Sequence, residues 1–205
     1  MHFRDATDCL LANATMCGRW PFFIFLDTSY WLARDGSISP YLDKPLYDAG
    51  KIKGLVVPPE EMAWLEGLLE SHKQERVILI SHTALAYKET YPVWEMPDGL
   101  MNRQEVRDLL SQYRNILAAF AGHWHIYDAY VEEDIVFCQT GSLREYPFEF
   151  RLVEVGERGL SISTHGLTDT CFERASLDPE KGNSWVRGTP DDREFSVAWK
   201  VEMGG

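Results

Sequence analysis

Hydrophobic and polar positions follow two rhythms along this chain. The run PFFIFLDT, Pro21 to Thr28, is continuously apolar over strand length, the pattern of a strand buried on both faces. RVILISHT, Arg76 to Thr83, and NILAAFAGHWH, Asn115 to His125, repeat that pattern. Between them the apolar residues return at helical spacing. PPEEMAWLEGLLESHK puts Met62, Leu65, Leu68 and Leu69 on one stripe behind prolines and acids suited to a helix start. NRQEVRDLLSQY puts Val106, Leu109 and Leu110 on another, with Asn102 as the expected N-cap. Strand, helix, strand, helix, strand predicts a βαβαβ unit, and its crossovers make the sheet parallel.

The stretch from Ser29 to about residue 57 is read as turn-rich, punctuated by DGSISP and DAGK. Past His125 the segments shorten and alternate: IYDAYVEED, IVFCQTGSL, FEFRLVEVG and GLSISTHGL. They predict an antiparallel meander, in the same sheet or in a second one packed on it. Residues 1–168 are therefore taken as the body of a mixed-sheet α/β domain. Residues 169–205 are taken as a polar C-terminal arm, with EFSVAWKVEM as a candidate last strand.

Charge narrows the function. A formal net charge of −12 argues against nucleic acid or an anionic membrane as the main partner, because both need a basic face to displace counterions. An anionic substrate stays compatible if metal ions supply the local positive charge. Cys9, Cys17, Cys138 and Cys171 form no CxxC pair and read as reduced thiols, which points to a cytoplasmic protein. The N-terminus lacks a basic n-region, the run at Pro21 is too short to span a bilayer, and the sequon at Asn13 is taken as coincidence.

Three of the six histidines stand where buried strands end: His82 after VILIS, and His123 and His125 after ILAAFAG. In open α/β sheets the binding crevice lies beyond those carboxyl ends, and neutral imidazole is a common nitrogen ligand for Zn, Fe and Mn. A single histidine at a strand end is more often a hydrogen-bonded rim residue, and a bare HxH recurs by chance. His72 and His165 lack this setting and read as ordinary polar residues. Taken together, His82, His123 and His125 form a constellation.

VILISHTAL, then a helix, then NILAAFAGHWH and VFCQTGSLREYPFEFRLVEV, resembles the C-terminal half of the calcineurin-like metallophosphoesterases. The branch is that of the cyclic-nucleotide and glycerophosphodiester phosphodiesterases, which FIFLDT followed by EEMAWLEGLLE also resembles. The resemblance runs from Phe22 to Val155. It implies a four-layered α/β/β/α sandwich and hydrolysis of phosphate mono- or diesters by a metal-bound hydroxide. It further implies two divalent ions, Mn, Fe or Zn, with His82 and His123 on one and His125 on the other.

The family's N-terminal elements, Asp-x-His, Gly-Asp-x-x-Asp and Gly-Asn-His-Asp or Gly-Asn-His-Glu, have no counterpart here. Three imidazoles without the bridging carboxylate neither neutralise nor hold two ions about 3.5–4 Å apart. The chain is therefore expected to hold one ion or none by itself and to be inactive or nearly so. The expectation extends to a missing N-terminal βαβ portion, a partner chain or a homo-oligomer completing the sheet. The alternative is a non-catalytic remnant or partner subunit with at most a weak metal site. A third reading is an unrelated open three-histidine Zn site.

Substrate contacts are candidates at Tyr87, Lys88, Tyr91 and Trp94 in the long loop after His82, at Trp124, and at Arg144 in QTGSLREYP, whose guanidinium fits a phosphate ester. For each a bland reading competes: loop packing for the aromatics, a surface ion pair with Glu145 for Arg144. Asp27 matches an aspartate of a family strand and is read as structural.

Overall fold

A computed structural model describes residues 21–88, 99–167, 177 and 183–199. Its centre is a five-stranded sheet of order β1-β5-β6-β8-β7, built from Phe22–Leu26, Val77–Ser81, Ile116–Ala121, Ile135–Gln139 and Asp128–Glu132. β1, β5, β6 and β8 run parallel, and only β7 is antiparallel to its neighbour. The fold is thus mixed α/β with a parallel-dominated sheet. The helices α2, Pro59–Ser71, and α3, Arg103–Leu110, make the crossovers that the apolar rhythm predicts.

One face of the sheet packs on those helices. Ile24, Leu26, Val77, Leu79, Ala119 and Phe137 meet Leu65 and Leu69 of α2 and Val106 and Leu110 of α3, all buried. Pleating turns Ala118, Val136 and Cys138 to the opposite face, where Leu160 and Ile162 cover them. Those two belong to a three-stranded antiparallel sheet of order β11-β10-β9, formed by Glu194–Ala198, Gly159–Gly166 and Glu149–Val155. The meander is therefore divided: β7 and β8 join the first sheet, and β9 and β10 the second.

The stretch read as turn-rich is more ordered than its punctuation suggests. It holds a small antiparallel sheet of order β3-β2-β4, from Ile38–Ser39, Tyr30–Ala33 and Ile52–Val56, plus a one-turn helix α1 at Lys44–Asp48. Asp43 caps α1, accepting the Leu46 amide at 2.9 Å. The strands stay short because the turn signals are real. They still pair because Trp31, Leu55 and Val57 pack on the helix-side core. Asn102 precedes α3 as expected but makes no cap bond. Its amide instead brackets the Val57 backbone, accepting from N at 3.0 Å and donating to O at 2.9 Å, which fixes β4 against α3.

The C-terminal arm is structured where it is described. Asn183–Arg187 form a 3-10 turn and Pro190–Arg193 a one-turn helix, α4, which leads into β11, the last strand expected from EFSVAWKVEM. Asp192 is fully buried beside β7. Its carboxylate accepts from Thr189 N at 2.8 Å and Thr189 Oγ1 at 2.6 Å, from Ala129 N at 3.1 Å, and from Lys88 Nζ. Val186 O accepts the Tyr127 amide at 2.8 Å. Gly188 allows this approach, with φ +67° and a position where a Cβ would lie 2.2 Å from Tyr127 O.

Candidate functional site

His82 and His123 leave adjacent parallel strands, β5 and β6, at their carboxyl ends, as the sequence places them. The surrounding backbone is pinned. Thr83 N donates to the buried Thr28 Oγ1 at 2.8 Å, Ser81 Oγ donates to Thr83 O at 2.9 Å, and Gly122 N donates to His82 O at 3.1 Å. The Thr of FIFLDT thus anchors the turn that carries His82. Asp27 spends its carboxylate on Ser29 N at 2.8 Å.

The two imidazoles meet, with His123 Nδ1 2.9 Å from His82 Nε2 and ring centroids 4.7 Å apart. His125 goes elsewhere, and its Nδ1 contacts the Glu145 carboxylate. Both His123, φ 68°, and His125, φ 55°, sit in the left-handed region that few non-glycine residues adopt. The backbone on either side of Trp124 is therefore not extended. Glu145 was weighed only as a partner for Arg144. Nothing in QTGSLREYP marks it as facing a histidine 20 residues earlier.

The donors can be tested against a metal centre. Two imidazole nitrogens 2.9 Å apart offer two ligands, whereas structural and catalytic Zn sites use three or four from the protein. Among the described residues no group of three or more His, Cys, Asp or Glu is placed to hold a metal ion. By themselves the described residues do not fit a dinuclear centre, because the third histidine is turned to Glu145 and no described carboxylate is placed with the pair to hold an ion.

The aromatic candidates are drawn together. Tyr87 and Trp124 pack edge to face, centroids 4.7 Å apart, and Trp124 lies 6.2 Å from the His123 ring. Arg103, at the start of α3, stacks over the other end, 4.3 Å from the Tyr87 centroid. Burial pushes its guanidinium below the ordinary arginine value, aided by Arg107. The sequence does not single out Arg103, since a helix-start arginine carries no local sign of a tyrosine 16 residues upstream. A wall of Arg103, Tyr87 and Trp124 therefore runs up to the histidine pair. Arg144 is exposed in the turn after β8, its amide donating to Ser142 Oγ at 3.3 Å. Tyr91 and Trp94 lie outside the described residues.

Lys88, a candidate substrate contact, is bound to Asp192 and lies 3.5 Å from Asp128. The two acids respond differently. Burial lifts the Asp128 carboxyl above the usual range, only partly offset by Lys88. Burial also acts on Asp192, but the bonds from Lys88, Thr189 and Ala129 outweigh it and hold Asp192 low. One cation thus serves an ionised Asp192 first, and it ties the loop that follows His82 to α4.

No family model and no curated protein matches this chain. Among solved structures it is similar to a dimetal phosphatase from Danio rerio, with 17% identity and a TM-score of 0.48, over 69% of this chain and 38% of that one. It is also similar to a predicted phosphoesterase from Streptococcus pneumoniae TIGR4, with 12% identity and a TM-score of 0.30, over 86% of this chain and 96% of that one. The chain thus spans well under half the length of the Danio rerio phosphatase.

Proposed function

We propose that this chain is the histidine-bearing portion of a metal-dependent phosphoesterase, and that turnover requires carboxylate ligands from outside the described residues. The observation that carries the reading is the meeting of His82 and His123 at the carboxyl ends of two adjacent parallel strands. Its motif support is the resemblance of VILISH and AGHWH to the calcineurin-like metallophosphoesterases. In this reading His82 and His123 hold one ion, and His125, oriented by Glu145, faces a second supplied with the missing carboxylates. Tyr87 and Trp124 wall the cleft, and Arg144 meets the phosphate ester. The protein acts in the cytoplasm, completed by a partner polypeptide or a second copy.

The shortfall of donors favours one alternative, a non-catalytic chain of the same fold with at most a weak single-ion site. Two measurements separate the readings: calorimetric titration with Mn²⁺ and Zn²⁺, and hydrolysis of bis(p-nitrophenyl) phosphate with added Mn²⁺. The proposal expects weak binding of one ion, about tenfold or more weaker in His82→Ala and in His123→Ala, and no turnover by the chain alone. Turnover by the chain alone, with two ions held tightly, would overturn the need for outside carboxylates. Ion binding unchanged when His82→Ala and His123→Ala are combined would overturn the metal role of the pair.

A further inference from the structure

At the opposite end of the five-stranded sheet, where β5, β6 and β8 begin, a cavity of about 390 Å³ opens between the two sheets. We propose that it binds a small zwitterion with an apolar or aromatic body, the chemistry of a hydrophobic α-amino acid. This site is independent of the histidines and of the function proposed for them.

The charges around the cavity are segregated by strand order. Arg76 precedes β5 and Arg114 precedes β6, while Glu133 and Asp134 form the turn from β7 into β8. Since β6 and β8 are neighbours, the backbones leading from Arg114 and from the acidic turn lie about one strand spacing apart, ~4.8 Å, with Arg76 one strand further away. A carboxylate and an ammonium on one carbon suit that separation, with the carboxylate on the planar guanidinium fork and the ammonium on the acids. A plain dianion would meet Glu133 and Asp134, and a plain cation would meet the arginines.

The walls suit the rest of such a molecule. Val131 and Val197 line the cavity, and so does Leu117, set at the register shift between β5 and β6. Trp199 offers a ring held at both polar points, its amide donating to Arg158 O at 2.9 Å and its Nε1 to Gly156 O at 3.1 Å. Arg76 is likewise fixed, donating from Nη2 to Glu157 O at 2.8 Å. The volume falls within the ordinary range for small-molecule sites.

The acidic turn supplies a second observation. Glu133 and Asp134 are a two-residue hairpin loop with φ 49° and 69°, the type I′ geometry that Asn-Gly fits best. Two carboxylates occupy a turn that folding alone would give to other residues, and both face this cavity.

The test is calorimetric titration of the full chain with L-tryptophan, tryptamine and indole-3-propionate. The expected result is saturable binding of L-tryptophan, weakened about tenfold or more when either charge is removed from the ligand. Arg114→Ala and Trp199→Ala should each weaken it similarly while the far-UV circular dichroism stays that of the parent. Because Trp199→Ala could loosen β11, Val131→Trp serves as a second variant. It fills the cavity from a position already half exposed and should abolish binding. No saturable binding of L-tryptophan up to about 10 mM would overturn the proposal, as would equal binding of the three ligands or full binding by Val131→Trp.

Discussion

The two edges of the five-stranded sheet are treated in opposite ways. At β7 the outward amides of Tyr127 and Ala129 are both taken, by Val186 O and the Asp192 carboxylate. At β1 the described residues supply nothing comparable. Among the described residues β1 pairs only with β5, and since Phe22 N donates to Arg76 O at 2.6 Å, the amides of Phe23 and Phe25 alternate away from that partner. Phe23 and Phe25 are also 36% and 39% exposed, and FFIFL carries no charge or proline to discourage pairing. The chain invests a buried ionic cluster in sealing one edge while the described residues leave the other as an apolar strand. The contrast fits the proposal that another polypeptide or a second copy completes the sheet on the β1 side.

Hydrogen exchange probes the contrast most directly. The Tyr127 and Ala129 amides should exchange only through near-global opening, and those of Phe23 and Phe25 by local fraying. The protection factors should differ by about 10³-fold or more, read by NMR. Equal protection at both edges would show that β1 is covered after all.

Next in size, Asp192→Ala removes the carboxylate that Ala129 N, Thr189 and Lys88 share, and it should cost about 3 kcal/mol in urea unfolding. Amide protection at Ala129 should fall with it while that at β5 holds.

Acid should act on the sealed edge first. Asp192 sits below its ordinary value, and so does Glu149, where burial is outweighed by the bonds from Arg193 and Arg187. Their stabilisation is fully present above the unfolded values of about 4 and is lost as pH falls through the lower folded ones. Asp128, held high by burial, has the opposite sign. Its contribution is present below about 4 and lost as pH rises through its folded value, so it partly offsets the other two. Net destabilisation below about pH 4, led by loss of protection at Tyr127 and Ala129, is the outcome to look for by pH-dependent exchange.

The smallest effect belongs to the bare edge. Phe25→Lys should change monomer stability by less than about 1 kcal/mol, because the side chain is already well exposed. Light scattering during refolding should nevertheless drop, since a charge on an edge strand opposes pairing.

The edges also show what the sequence discloses. β5 and β6 are legible because burial on both faces forces unbroken apolar runs, and α2 and α3 because one-sided packing imposes a stripe; β1 carries the same apolar run, but the expected burial on both faces fails there, since Phe23 and Phe25 stay exposed on one side. Histidines at strand ends are legible by position alone. The β7 seal is not, because Asp192, Lys88 and Asp128 meet across 104 and 40 residues and no local period records such a meeting. The small sheet β3-β2-β4 was hidden because its strands are two to five residues long, shorter than their turn signals. The histidine site is split the same way. Which strand ends carry imidazole is written locally, whereas the turn of His125 toward Glu145 depends on backbone angles that the letters do not show.

Those angles reach beyond the site's geometry. A side chain in the left-handed region costs of order 1 kcal/mol relative to glycine, and His123 and His125 both stand there. Under drift alone, with folding as the only filter, glycine or asparagine would be favoured at both positions. Keeping imidazole at each runs against the mutational gradient that stability sets, so a lineage that ceased to use these histidines would be expected to lose them early.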